Sequence, residues 1–439
     1  MSEKAALMPA GTAQVDKIIL QGLFETVDIT NLFMEFSIYE DIFSHTMHGT
    51  ITILDSFNMP RHVPIMGDEK VFIEFKTHPE CAALGGVEPK VIKKKFHVTR
   101  LDNRIVGADK RQMYVLSIVS NECVTDLNIK LAKSFTGTSD SMIKQMFDYV
   151  KEDKELETDS AIDTLKFVSP LWSPFQCINW CVGEARDGMR SSNFFFYETN
   201  QKFKFKTLNK LFKQGKKATY RYDMDSMRSA DGENTYDVKK QFERIRAIKF
   251  DYAFDYVKRM QGQKLLSHKV YEHNKLFKTI QRHSYSYYYD FDQSLHLDPD
   301  PLMFIYPDFR DYQGSMEHRT IHPRDHEVMT KDYSAEIMSK RLGMISQADM
   351  YTIDIEVKGR SDLEVGDLIE FKLGEYDANM DKTPDDKMYD GLYMIAAIHH
   401  RCSGNQYQQT MKIIKDSCEK TKGENTRGIL EDAAADGDI

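Results

Sequence analysis

GDEKVFIEFK at residues 67–76 and GDLIEFK at residues 366–372 share a Gly-Asp turn leading into Ile-Glu-Phe-Lys, near opposite ends of a chain of 439 residues. Their surroundings match as well. TITILDS (50–56) precedes the first turn and TIDIEVKG (352–359) precedes the second. Beyond each turn and a loop lies a long hairpin: KKFHVTRLDN (94–103) with QMYVLSIVS (112–120), and LYMIAAIHHR (392–401) with QQTMKIIKDS (408–417). Four shared residues can arise by chance, so it is the matching order of elements that marks two related modules. The segments are short, rich in β-branched and aromatic residues, and separated by turn signals such as Gly107-Ala108-Asp109. That texture predicts a closed or nearly closed β-barrel at each end. Two related barrels in one chain have a physical use. Three such chains can close a ring of pseudo-sixfold symmetry through equivalent edges.

The totals bound the rest. A chain of 439 residues is too long for one ordinary domain and should hold about three. Its 41% hydrophobic residues suffice for real cores. No apolar run approaches the roughly 20 residues that span a bilayer, so no membrane insertion is expected. The opening MSEKAALMPAGTAQ has no continuous apolar stretch and does not read as a secretory signal. The net charge of -9, with lysines and acids interspersed, argues against a protein that grips nucleic acid. Such a protein needs a basic footprint to neutralise phosphates. Six scattered cysteines (Cys81, Cys123, Cys177, Cys181, Cys402, Cys418) fit a reducing cytosol and imply no disulfide framework.

The predicted class is α+β and β-rich, with two related β-barrel (tube-type) domains flanking a small α/β domain and a loop-rich insertion. The boundaries by texture are a flexible N-terminus (1–14), a first barrel (15–125), the α/β domain (126–215), an inserted strand- and loop-rich region (216–330), a helix with the second barrel (331–418), and a disordered acidic tail (419–439). In the α/β domain, Met142, Ile143, Met146, Phe147 and Val150 recur at helical spacing, with Ser139 or Asp140 as the cap. A second helix opens at Ser173-Pro174 and should stop near Gly188. SNFFFYETNQKFKFKTL (192–208) reads as a hairpin in which Phe203 and Phe205 alternate with lysines. Residues 244–263 join a strand to a short helix, 264–287 are strand-like, and 331–347 are helical. Between Tyr288 and Val328 lies an aperiodic stretch of about 40 residues, long enough to expect a subunit contact.

This order of elements resembles the central baseplate hub proteins of contractile-tailed bacteriophages and is similar to the hub half of type VI secretion spike proteins. The resemblance is carried by the helix-hairpin (173–205), by FDYVKRMQGQKLLSHKVYEHNKLFK (254–278) and by SDLEVGDLIEFK (361–372), and covers most of residues 15–418. It implies a structural, non-enzymatic subunit of the virion tail baseplate, assembled in the host cytoplasm. The implied assembly is a homotrimeric ring that joins a sixfold tail tube to a central spike. Its partners would be the tail tube protein, the spike and other baseplate proteins, with DNA passing through the channel unbound. Type VI proteins run on into a spike. This chain ends in a short acidic tail, so a separate spike polypeptide is expected.

Candidate chemistry is weak throughout, and no catalytic, cofactor or metal residues are assigned. His318, His322 and His326 have the four-residue spacing of helical metal ligands, but Pro323 breaks such a helix. Cys177 and Cys181 lie one turn apart on an apolar face and read as core. His399, His400 and Cys402 fall on a strand, whose neighbours point to opposite faces, and read as chance. Asp377, Asn379 and Asp381 begin like a calcium loop, but Lys382 and Met388 replace its glycine and its glutamate. Residues 223–233 fail in the same way. No phosphate-binding loop, nucleophile elbow, zinc-protease or dinucleotide motif is present. Tyr285, Tyr287, Tyr288 and Tyr289 favour a subunit interface, or alternatively stack sugars in a glycan-binding tail protein. A cell-wall hydrolase is the remaining alternative, since spatial carboxylate pairs are not readable from sequence.

Overall fold

The computed structural model describes residues 9–418 apart from residue 24 and segments 108–110, 223–237, 254–266, 275–277, 287–289, 292–293, 302–315, 320–333 and 374–388. Its first module consists of β1 (Ala13–Gln21), β2 (Thr26–Asp28), β3 (Phe33–Asp41), β4 (His48–Asp55), β5 (Lys70–Thr77), β6 (Ile92–Val106) and β7 (Gln112–Ser120). Burial alternates strictly along β4 and β5. One face of each strand therefore carries core residues such as Ile51, Ile53, Val71, Ile73 and Phe75 inward. The strands lie in the order β3-β4-β7-β6-β5-β1-β2, every pair antiparallel.

The α/β domain follows, with β8 (Ser134–Thr138), β9 (Leu156–Thr158), β10 (Thr164–Val168), β11 (Phe194–Glu198) and β12 (Phe203–Thr207) around helices Ser139–Phe147 and Pro174–Glu184. Thr138, rather than Ser139 or Asp140, is the cap residue of the first helix. Ser173 caps the second as expected. Its hydroxyl accepts from the Gln176 amide, and the Gln176 side chain accepts from the Ser173 amide. That helix ends at Glu184, earlier than Gly188, because Ala185 already has extended backbone. The hairpin β11–β12 forms, and β12 alternates buried Phe203 and Phe205 with lysines. In contrast, β11 is buried on both faces. Phe194 and Phe196 enter the α/β core while Phe195 and Tyr197 enter the core of the second barrel. This strand is a wall common to both.

The second module gathers β13 (Ala218–Arg221), β14 (Ile245–Ala253), β19 (Tyr351–Lys358), β20 (Leu368–Lys372), β21 (Gly391–Ser403) and β22 (Gln406–Lys415). Its order is β14-β19-β22-β21-β20-β13, and a bridge between Arg221 and Arg244 closes the ring of strands. Two of its strands, β13 and β14, therefore come from the 216–330 stretch that the sequence reads as an insertion. Between them and β19 stand β15 (Ser267–Asn274), β16 (Thr279–Ser286), β17 (Asp300–Pro301) and β18 (Met316–Arg319). β15 pairs with β16 and β18, and helix Ser334–Ala348 packs on this small sheet. β18 gives the expected aperiodic stretch 288–328 an ordered strand. The short helix expected near 254–263 and the tail 419–439 lie outside the described residues.

The repeat extends to detail. In each module five strands taken in chain order are arranged in the sheet as first, second, fifth, fourth, third: β3-β4-β7-β6-β5 and β14-β19-β22-β21-β20. The bulges coincide too. A register shift falls at Val98/Arg100 in one hairpin and at Ile395/Ala397 in the other. Another falls at Phe33/Glu35 and at Ile245/Ala247. Beside the first pair of bulges, the Val98 amide donates to Glu69 O (2.8 Å) and the Ile395 amide to Asp367 O (2.9 Å). This hydrogen bond makes Val71 the counterpart of Ile369, two residues before the Ile73 that the shared Ile-Glu-Phe-Lys would select. A two-residue slip keeps the same face inward, which is why the sequence match still finds the right strand.

The modules are fused edge to edge. β3 pairs with the outer half of β21, from Asp41 opposite Ala397 to Glu35 opposite Ser403, making one thirteen-stranded sheet. The tip of the β21–β22 hairpin also completes the first barrel. Thr12 bridges to Gln406, and Cys402 and Tyr407 sit in the first core. Gly359 lies flat against the Tyr407 ring, where a Cβ would come within 2.2 Å of the ring. Gly359→Ala should therefore cost about 1–3 kcal/mol through overpacking, read as a lower urea midpoint with unchanged slope. An unchanged midpoint would show that this approach is not tight.

Candidate functional site

The most specific chemistry in the chain is a buried polar seam where the two barrels and the α/β domain meet. The turn from β11 to β12 delivers Glu198, Thr199 and Asn200 into this junction, and all three are buried. On one side, the Glu198 carboxylate accepts from Lys94 Nζ (3.0 Å), Lys154 Nζ (2.7 Å), Ser120 Oγ (2.5 Å) and the Met47 amide (2.9 Å). Lys94 also donates to Thr199 O (2.6 Å), and Lys154 to Glu122 (2.6 Å). Lys94 and Ser120 belong to the first barrel, so this cluster bolts the α/β domain to it.

Burial alone pushes the Glu198 carboxyl up, but the charges of Lys94 and Lys154 outweigh it and bring its pKa to about 2. Burial pushes Glu122 up, with Lys154 pulling against it. Burial also lowers Lys154, but the two carboxylates win and leave its ammonium raised. A buried charge is tolerated only when paired and hydrogen-bonded in this way.

On the other side of the turn, His400 of β21 places Nε2 2.9 Å from Glu40 Oε1 on β3, across the strand pair that joins the barrels. Its Nδ1 lies 2.7 Å from Tyr407 Oη, and the Asn200 amide nitrogen approaches Nε2 at 3.2 Å. Gln409 donates to Arg360 O (2.8 Å) and to Tyr407 Oη (3.1 Å). This cluster ties four elements into one rigid joint.

A solvent-open cleft of about 600 Å³ lies nearby, lined by lysines and carboxylates in equal number. Several pair with one another: Lys204 and Lys90 with Glu364 (2.8 and 3.4 Å), and Lys202 with Glu157. Burial raises the Glu157 carboxyl, but hydrogen bonds from Lys202 and Lys206 bring it to about 2. A carboxylate so strongly held in its charged form is a poor proton donor.

The residues singled out by sequence are dispersed. Cys177 and Cys181 lie in the α/β core, Cys177 3.1 Å from Ser169 Oγ and Cys181 3.9 Å from Met146 Sδ, and burial pushes both thiols up. His399, His400 and Cys402 do not converge. His399 stacks on Tyr39 at 4.3 Å, and Cys402 points into the first core. His400 is nonetheless no accident of composition, and sequence reasoning missed it because its partner Glu40 is 360 residues away. Tyr285 is buried inside the chain, receiving a hydrogen bond from Gln347, and so is available neither to a second subunit nor to a glycan. His318 lies on β18. His322, His326, Tyr287, Tyr288, Tyr289, residues 223–233, and Asp377, Asn379, Asp381, Lys382 and Met388 lie outside the described residues. Among the described residues no three His, Cys, Asp or Glu gather as metal ligands.

Glu198→Gln leaves two buried ammonium groups short of a partner and should cost about 3–5 kcal/mol in urea unfolding. The pH dependence has a defined sign. A carboxyl at 4.5 when exposed and about 2 when folded stabilises fully above 4.5, and that contribution is lost as pH falls towards 2. Glu122, raised by burial, has the opposite sign. The variant should therefore unfold with a visibly shallower acid slope than the parent between those values. Equal slopes would remove Glu198 from the joint.

No family model matches the chain and no curated protein matches it in sequence. Solved structures do match in fold. A tail protein from Neisseria meningitidis MC58 superposes with a TM-score of 0.53 at 9% identity, covering 91% of this chain and 96% of that one. The 43 kDa tail protein of prophage MuSo2 from Shewanella oneidensis gives 0.50 at 9% identity, covering 92% and 99%. Alignment over nearly the whole of both chains at such low identity is a likeness of fold. The fold class expected from the sequence is the one observed: β-rich, with two related barrels about a small α/β domain.

Proposed function

We propose that this chain is a structural subunit of a phage-type tail baseplate, acting as the hub that joins a tail tube to a central spike. The observation that carries the proposal is the pair of modules with the same strand order and bulge positions, fused into one sheet. A threefold assembly of such chains presents six nearly equivalent barrels, which is what a sixfold tube requires of the trimer beneath it. The whole-length fold likeness to two tail proteins supports the same reading. The rigid buried seam supports it as well, since a subunit under mechanical load during ejection needs its modules locked. The net charge of -9 suits a channel wall past which a polyanion moves without being held.

In this reading the subunit is not an enzyme. Its partners are two further copies of itself, a tube protein, a spike and other baseplate proteins, and its place is the virion tail after assembly in the host cytoplasm. Light scattering on the purified chain should give three times the 51.0 kDa chain mass. A monomer at every soluble concentration would contradict the proposal.

A further inference from the structure

The pairing that fuses the two barrels inside one chain leaves its mirror counterpart unmade. Within the chain, the first strand of module one (β3) pairs with the outer half of the fourth strand of module two (β21). The equivalent elements with the modules exchanged are β14 and the outer half of β6. β6 pairs with β5 only through Ile92–His97, and beyond its bulge it pairs with β7 alone among the described residues. β14 pairs with β19, and its other edge from Arg246 onward carries no described strand. Among the described residues, both edges are therefore without a strand partner, the ordinary template for strand addition.

Side chains on these edges fit the same account. Counting along the partner strands β7 and β22 from the shared bulge, Val106, opposite Gln112, corresponds to Cys402, opposite Tyr407, with β6 carrying one further register shift between Asp102 and Ile105. By the same count Ile248 corresponds to Phe36, Lys249 to Ser37 and Phe250 to Ile38. Cys402, Phe36 and Ile38 are fully buried at the intrachain joint, whereas Val106 is 64% and Phe250 43% exposed. Val106 and Phe250 are thus exposed at positions where their counterparts are core, while Ile248 is partly buried on the second core. Ile105, also exposed, corresponds to Arg401.

We infer that β14 of one copy adds antiparallel to the outer half of β6 of the next, with Ile105 opposite Lys249 and Val106 opposite Ile248. The contact is head-to-tail, so it closes only by rotation, and three copies then bring six barrels round one continuous sheet. The inference rests on the trimeric hub reading and supplies the surface that builds it.

The test uses the full chain carrying Ile105→Cys and Lys249→Cys, both exposed positions, oxidised and run without reductant. Facing cysteines of an antiparallel pair lie within disulfide reach. Covalent dimers and trimers are expected from the double variant, and none from either single variant or the parent, whose Cys123 and Cys418 are only partly exposed. Mixed single variants should stop at the dimer, because only an interface that sets the Ile105→Cys chain's β6 against the Lys249→Cys chain's β14 can link, and neither chain carries both cysteines. Val106→Asp should shift the assembly towards monomer with the circular dichroism of the parent. A chain that is trimeric by light scattering yet gives no cross-link, and whose Val106→Asp variant stays trimeric, would overturn this surface and leave the hub reading standing. A chain that is monomeric throughout would overturn both.

Discussion

Everything in this molecule depends on the antiparallel pairing of β3 with the outer half of β21. That pairing turns two barrels into one sheet, and it decides what the rest of the chain must do. The first barrel is completed by the tip of the second barrel's hairpin, which adds Cys402 and Tyr407 to its core and bridges Gln406 to Thr12. Glu40 and His400 face each other across the same pair, and the β11–β12 turn seals it from below. The apolar term supplies the bulk of the stability, while the polar seam sets the angle at which the modules meet. A purely apolar joint could slide by two residues and keep its faces buried. A joint in which Glu40 of β3 is hydrogen-bonded to His400 of β21 cannot, because a slip would leave these buried polar groups without each other.

Equivalence between the barrels is a constraint on edges more than on cores. The cores differ: the first is filled by residues such as Phe36, Phe75 and Tyr407, the second by Phe195, Tyr197 and Tyr393. What is kept is strand order, the positions of two bulges, and the extension of one long strand beyond its pairing with β5 in the first module and β20 in the second. Bulges re-aim a strand and end its pairing with one neighbour, so a bulge at Val98/Arg100 or Ile395/Ala397 frees the outer half of that strand for another partner. The second barrel departs in one respect. β13 runs parallel to β20, whereas β1 runs antiparallel to β5, so the similarity stops at the strand that closes each ring.

How much of this was legible in the sequence follows from the range of each interaction. Ser173 as a cap was readable because its partner Gln176 is three residues on. The strands at 67–76 and 366–372 were readable because an alternating face is a local pattern. β13 was not, and β14 was read as a strand but not as part of the second barrel, since nothing near either says that its partner lies beyond an intervening sheet and helix. His400 was dismissed because parity on a strand gives only a face, and the Glu40 that occupies that face comes from the other module. Tyr285 misled for a related reason. A tyrosine-rich run looks like an exposed surface until a helix, with Gly343 against the ring, covers its first member.

The central claim is that the two barrels act as equivalent units of one ring. The most direct measurement is the rotational symmetry of end-on images of the purified, negatively stained protein. Six lobes of closely similar size around a central opening are predicted, with a threefold modulation where the α/β domains project. Rings of three lobes, or compact particles with no opening, would contradict it.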